Sequence, residues 1–239
     1  MLVLAIDTCD SRGSVALLRD SEILSLAVHD GGDYSSWLLP AVTDVLSKAR
    51  AEMADLQGYA VAAGPGSFTG VRVGLTTVKA WAEVYGKPVA AISRLEAIAE
   101  QAPPEIQRVA AFIDAQRGQL FGAVYQRQQG GNFNRLDDEM VIAPGKFVEE
   151  AARLAGEVTI SWLSPDADLL LLEAAWKGRE AKGERIELIS PTLAPMIGRI
   201  GTRYLREGKT VDALTLDANY VRRSDAEIFW KGGSAAHGR

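Results

Sequence analysis

The sequence predicts an α/β fold with mixed sheets, built twice over as two similar lobes. Two observations carry that expectation. Short apolar strands joined by hairpin-length turns give way to strands alternating with helices, and the same plan recurs after Pro103-Pro104. Hairpin turns connect only antiparallel strands, whereas strand–helix alternation signals parallel pairing through crossovers.

The first strand is Leu2 to Ile6, with Asp7 at its end and a turn through Arg12-Gly13. Ser14–Leu18 returns, and Ile23–Val28 adds a third strand, completing a meander. Leu38, Val42, Val45, Leu46, Ala49 and Met53 recur at helical spacing and predict a helix to about residue 56, with Ser35 or Ser36 as N-cap. Pro40 is tolerable near a first turn. Tyr59–Ala63 reads as a buried strand, residues 69–85 as a helix, Val89–Ile92 as a strand and Arg94–Gln101 as a short helix. The Pro pair then marks a boundary, giving lobes over residues 1–103 and 104–230 and a disordered tail over 231–239.

After the boundary, Ala111-Phe112-Ile113-Asp114 through Arg117-Gly118 to Tyr125 repeats the strand–Asp–turn–Arg-Gly–strand plan of Leu4 to Leu18. Further strands are expected at Met140–Ile142, Val158–Ile160 and Ile186–Ile189, with helices at Lys146–Ala155 and Pro195–Glu207 and a polar loop at Gly178–Glu184. An Asp-tipped meander leading into β-α-β units, twice, is similar to the plan of the actin, sugar kinase and Hsp70-like superfamily. That resemblance implies a duplicated two-lobe fold whose meanders face a nucleotide cleft.

Composition narrows the chemistry. At 239 residues the chain can bury a substantial core; 47% of it is hydrophobic and 24% charged. Cys9 is the only cysteine, so no internal disulfide forms. The N-terminus has no signal-peptide pattern and no apolar run approaches a membrane span, so a cytoplasmic protein is expected. A net charge of −5 argues against bulk electrostatic binding of nucleic acid, and the arginines at 199, 203, 206, 222 and 223 read first as a solvated face. With His29 and His237 the only histidines, metal centres and histidine-dependent hydrolases are poorly supplied, and no metal is expected.

The loop Gly64-Pro65-Gly66-Ser67-Phe68-Thr69-Gly70 sits between a strand and a helix. Its glycines allow close backbone approach and the helix N-terminus suits an anion, although the Lys-Ser/Thr of a Walker loop is missing. Asp7, Thr8, Gly64, Gly66, Ser67, Thr69 and Gly70 are therefore candidates for phosphate or nucleotide contact. The other reading is a strand-to-helix turn in which glycine permits packing. Asp7 and its counterpart Asp114 could act on a phosphate or simply organise turns. The helix that follows the loop is apolar around much of its girth, which means either full burial or a second face for a partner.

Ala63 to Gly74, followed by a helix and Gly86-Lys87-Pro88-Val89, resembles the TsaB (YeaZ) family. Leu4–Thr8, Leu38-Leu39-Pro40 and Tyr220-Val221-Arg222-Arg223-Ser224-Asp225-Ala226-Glu227 support it, although Tyr34 and Ala218 depart from the family pattern. The resemblance implies a non-catalytic subunit of the bacterial complex that makes threonylcarbamoyladenosine beside the tRNA anticodon, with no catalytic residue of its own. Its implied partners are the metal-bearing transferase TsaD and the ATPase TsaE, with tRNA met only in the complex. It implies no cofactor beyond a nucleotide at the partner seam. Pairing would run through Leu38, Leu39, Val42, Leu46, Val71, Leu75, Val78 and Trp81, and the same face would let two copies pair when alone. The competing class is a small-molecule kinase or ATPase with Asp7 as base; a protease ranks last.

Overall fold

The computed structural model describes residues 1–29, 31, 33–212, 215–219 and 221. Strands β1 (Leu2–Asp7), β2 (Ser14–Arg19) and β3 (Glu22–Val28) form the meander, followed by α1 (Tyr34–Lys48), β4 (Gly58–Gly64), α2 (Phe68–Tyr85), β5 (Val89–Ser93) and α3 (Arg94–Ala99). The second half runs β6 (Arg108–Asp114), β7 (Leu120–Arg127), β8 (Phe133–Arg135), β9 (Met140–Ile142), α4 (Pro144–Ala155) and β10 (Ser161–Ser164). It closes with α5 (Asp168–Leu171), α6 (Ala174–Glu180), β11 (Ile186–Leu188) and α7 (Ala194–Arg206).

The duplication is visible in the sheets. The first has the order β3-β2-β1-β4-β5 and the second β11-β10-β6-β7-β8, with β9 also paired to β7. In each, the central strand (β1 or β6) pairs antiparallel with its hairpin partner and parallel with the strand after the helix. Both central strands end in an Asp whose carboxylate accepts a backbone N–H two residues on: Cys9 N–H to Asp7 at 2.9 Å, Gln116 N–H to Asp114 at 2.6 Å. These are Asx turns, the local reason an Asp stands there twice.

The structure corrects several element boundaries. Asp33, rather than Ser35 or Ser36, caps α1, accepting the Ser35 N–H at 3.0 Å. The helix stops at Lys48, well short of residue 56, because Arg50 takes a left-handed conformation (φ 51°); a 3₁₀ turn over Met53–Asp55 follows. Pro40 lies inside α1, beyond its first turn. The strand expected at Val158–Ile160 forms instead at β10, and part of the segment read as a polar loop is the helix α6. Residues 231–239, Arg222, Arg223 and all of the Tyr220–Glu227 segment but Val221 lie outside the described residues.

The larger correction concerns α7. The sequence reading places it in the second lobe, but it packs across β1, β2, β4 and β5 of the first sheet, opposite the face covered by α1 and α2. Ile197, Ile200 and Leu205 fill that layer, and Gly198 and Gly201 let the helix lie close. A Cβ on Gly201 would stand 2.3 Å from the Ala60 Cβ. Residues after α7 then cross the open edge of β5, where Val211 donates its N–H to Val89 at 2.9 Å.

A smaller core in the second half stacks Phe112, Phe147, Trp162 and Trp176, with ring centroids 5.4–5.9 Å apart. The Trp162 indole N–H donates to Glu184 at 2.7 Å, which gives its polar edge a partner in an otherwise apolar layer.

The Gly201 contact sets two effects against each other. Alanine in a helix interior gains about 1 kcal/mol over glycine, whereas forcing a methyl into a filled layer costs about 1–3 kcal/mol. With the added carbon well inside contact distance of Ala60, overpacking wins: Gly201→Ala is expected to lower stability by about 1–2 kcal/mol in urea unfolding.

Candidate functional site

The site is organised around the first turn, residues 7–13. Arg94, the first residue of α3 and only 1% exposed, reaches into it. Its Nε donates to Asp7 Oδ2 at 3.1 Å, Nη2 to Asp10 Oδ2 at 2.6 Å and Nη1 to the Pro65 carbonyl at 3.4 Å. One guanidinium thus ties the turn, the glycine loop and α3 together. Burial works against charge on Arg94, but Asp7 and Asp10 outweigh it and hold its pKa up. Burial would likewise raise the Asp10 carboxyl; the Arg94 charge, the Arg12 N–H and the Arg94 hydrogen bond together keep it below the ordinary carboxylate value.

Arg12 extends the network to the second half. Its guanidinium pairs with Asp10 at 3.2 Å and with Asp166, after β10, at 2.8 Å. Asp166 also accepts the Asp114 N–H at 2.9 Å, so it spans from one duplicated turn to the other.

The same first turn holds both long helices. Tyr34, in the first turn of α1, donates its hydroxyl to the Asp10 carbonyl. Gly13 is needed there, because a Cβ would overlap the Tyr34 ring. For α2, Thr8 Oγ1 donates to the Gly70 carbonyl at 2.7 Å and the Ser67 N–H to the Cys9 carbonyl at 2.6 Å. Ideal Cβ atoms on Gly66 and Gly70 would come within 2.3 and 2.1 Å of the Cys9 and Thr8 carbonyl oxygens. Those two glycines therefore serve backbone-to-backbone contact.

Most of the residues expected to contact a phosphate already have partners within the chain. Asp7 is engaged by Arg94, Thr8 by Gly70, and Gly66 and Gly70 are pressed against the first turn. Ser67 caps α2, its hydroxyl accepting the Gly70 N–H at 3.4 Å and its carbonyl the Val71 N–H at 2.9 Å. Gly64 (φ 111°) lies against the Asn219 carbonyl, and Asn219 donates its N–H to Ala63 at 2.7 Å. Thr69 is exposed and lines a groove on the outer side of the helices.

The partner set is also redistributed. Leu38, Val42, Leu46, Val71, Leu75 and Val78 lie in the chain's own core, because α1 packs on β2 and β3, and α2 on β4, through those faces. Leu39 is 56% exposed and Trp81 half-buried. Alongside them stand Val84 (75% exposed), which the sequence reading placed on the helix's apolar girth, and Phe68 (41% exposed), Val73, Thr77 and Ala80, which it did not assign to a partner face. Positions 73, 77, 80 and 84 recur at helical spacing, a second stripe opposite the buried one. Of these, Val73, Thr77 and Ala80 edge a groove of about 750 Å³ between α1 and α2, together with Tyr34, Ser35, Leu39 and Arg72.

Two other residues find plain structural roles. Cys9 is buried; burial first, then Asp7, pushes its thiol well above the ordinary value. His29 follows the last residue of β3 and packs between Tyr34 and Trp37, with centroids 4.5 and 4.7 Å away. Among the described residues no three His, Cys, Asp or Glu side chains converge as a metal ion would need. Arg94 was missed because nothing in the local pattern of a short helix marks its first residue as a cleft residue.

The Asp10 shift has a pH consequence. Its folded pKa is depressed, so its stabilisation is complete above the unfolded carboxyl value of about 3.9 and is lost as pH falls through the lower folded value. Asp10→Asn is expected to reduce stability at pH 7 and to flatten the loss below about pH 4, read as Tm against pH.

Comparison with known proteins finds relatives that span the chain. A family model described as TsaD, tRNA N6-adenosine threonylcarbamoyltransferase, matches residues 31–175. The tRNA threonylcarbamoyladenosine biosynthesis protein TsaB of Escherichia coli (strain K12) is 30% identical across 97% of this chain and 97% of its own. The solved structure of YeaZ from Pseudomonas aeruginosa superposes with a TM-score of 0.68 at 26% identity, covering 92% of this chain and 99% of that one. Component A of (R)-2-hydroxyglutaryl-CoA dehydratase from Acidaminococcus fermentans, at 12% identity and TM-score 0.52 over 86% of this chain and 99% of its own, shares the fold alone. With similarity running the length of both chains, this chain belongs to the TsaB (YeaZ) family.

Proposed function

We propose that this chain is a non-catalytic subunit in the formation of threonylcarbamoyladenosine in tRNA, acting by pairing the outer face of α1 and α2 with a TsaD-type transferase. The observation that carries the reading is the second stripe of α2: half-buried Val73 and Thr77 and exposed Ala80 line a groove, and Val84 continues the spacing at 75% exposure, where a lone helix would turn charged groups to water. The E. coli relative is named for biosynthesis of this nucleoside. In this reading tRNA and the ATPase TsaE are met in the assembled cytoplasmic complex, a nucleotide binds only at the seam, and the isolated chain pairs with itself through the same face.

The kinase or ATPase reading needs Asp7 free to take a proton. Its carboxylate instead accepts from Arg94 and from the Cys9 N–H, both buried contacts. That arrangement favours the subunit reading.

The test separates surface from core. Ala80→Arg and Thr77→Arg place charge on the outer stripe, and are expected to leave Tm near wild type while weakening transferase binding by about tenfold or more, as for a central interface residue. Leu75→Asp or Val78→Asp would bury an unpaired charge in the chain's own core and unfold it. Mixing purified chain with its transferase, then assaying unmodified tRNA, reads both binding and function. Surface variants that bind and support modification at wild-type levels would remove this face from the mechanism.

A further inference from the structure

Three oxygens from three separate segments converge on the Arg94 guanidinium: Asp7 Oδ2 at the end of β1, Asp10 Oδ2 in the turn and the Pro65 carbonyl in the glycine loop, at 3.1, 2.6 and 3.4 Å. We propose that Arg94 is the resident cation of an all-oxygen pocket, and that its guanidinium does there what a bound divalent metal ion would otherwise have to do. The inference is independent of which partner the chain pairs with.

Charge balance supports it. Among the described residues, the ion pairs around the turn join three carboxylates, Asp7, Asp10 and Asp166, to two guanidinium groups, Arg94 and Arg12. Arg12 pairs with Asp10 and Asp166, whereas the cation paired with the fully buried Asp7 is Arg94. Without Arg94, a buried carboxylate and a partly buried one would face each other with a carbonyl beside them, and Arg12 would be the cation left in their described ion pairs. Two carboxylates and a carbonyl are the donor set of hard cations such as Mg²⁺ or Mn²⁺, which complete their coordination with water. The nearby Cys9 thiol donates to the Ala62 carbonyl at 3.5 Å and, as a soft sulfur, is a poor match for such an ion.

A tethered cation differs from a bound one in a way that matters here. It cannot dissociate, so the turn that holds Tyr34 of α1 and Gly70 of α2 keeps its shape at any metal concentration and in the presence of chelator. The spacing of the two helices is then a property of the chain alone.

The experiment uses the full chain and its Arg94→Ala variant, with Mn²⁺ and Mg²⁺ as probes. Wild type is expected to unfold at the same temperature in EDTA and in millimolar Mg²⁺ or Mn²⁺. Arg94→Ala is expected to unfold lower in EDTA, to regain several degrees with either ion, and to show saturable Mn²⁺ binding by electron paramagnetic resonance. Adding Asp10→Asn to Arg94→Ala should abolish both. If the alanine variant does not fold in EDTA, Arg94→Gln, which keeps an amide donor, is measured in the same way. If neither folds in EDTA, recovery of helical circular dichroism on refolding with Mn²⁺ supports the proposal. It is overturned by equal metal response in variant and wild type, by no refolding with metal, or by a response to Cd²⁺ alone, which would assign the site to Cys9.

Discussion

A guanidinium buried to 1% exposure is tolerated only where carboxylates and hydrogen-bond acceptors replace its water. Asp7, Asp10 and the Pro65 carbonyl do that for Arg94, and the geometry of the first turn, the glycine loop and both long helices follows from satisfying this one group. Removing one partner of such a buried pair typically costs about 3–5 kcal/mol. A domain's whole margin is about 5–15 kcal/mol. The network is therefore coupled to folding itself, and it is also the point where the two duplicated halves have diverged. Asp7 faces an arginine, whereas the Asp114 carboxylate accepts from the Gln116 side chain at 2.7 Å.

From that turn the constraint passes outward through short polar contacts to α1 and α2, each of which serves two surfaces. Their inner faces complete the first core. Their outer faces carry side chains whose burial would be worth having: at about 25 cal/mol per Å² of apolar area, covering a few such residues offsets a substantial part of the entropy lost on association. Because both helices are anchored at their N-terminal ends to one turn, the groove between them is a fixed shape.

Much of this was legible in the sequence, for identifiable reasons. Apolar strands, the repeated strand–Asp–Arg-Gly plan and the glycine loop between a strand and a helix all depend on local pattern, and the structure has them where that pattern puts them, apart from the strand expected at Val158–Ile160. What local pattern cannot supply is which face of an amphipathic helix meets its own sheet. Leu75 and Val78 are as apolar as Val84, and only the docking of α2 on β4 divides them into core and surface. Arg94 escaped for a related reason: its two carboxylates lie more than eighty residues earlier in the chain. Similarly, α7 carries an ordinary apolar stripe, and its return to the first sheet becomes readable only when Gly198 and Gly201 are seen against Leu18 and Ala60.

The backbone bridge between Val211 and Val89 gives the first sheet two unequal margins. On the β5 side a crossing segment occupies the rim, so a stray chain cannot extend the sheet there without displacing it. The β3 side has no described strand beyond it and shows Ile23, Leu26 and Val28 to solvent, with neither lysine nor proline to deter pairing. Aggregation during synthesis or thermal stress would therefore be directional, templated from the hairpin end of the meander. A chain cut before residue 211 would expose the second rim as well.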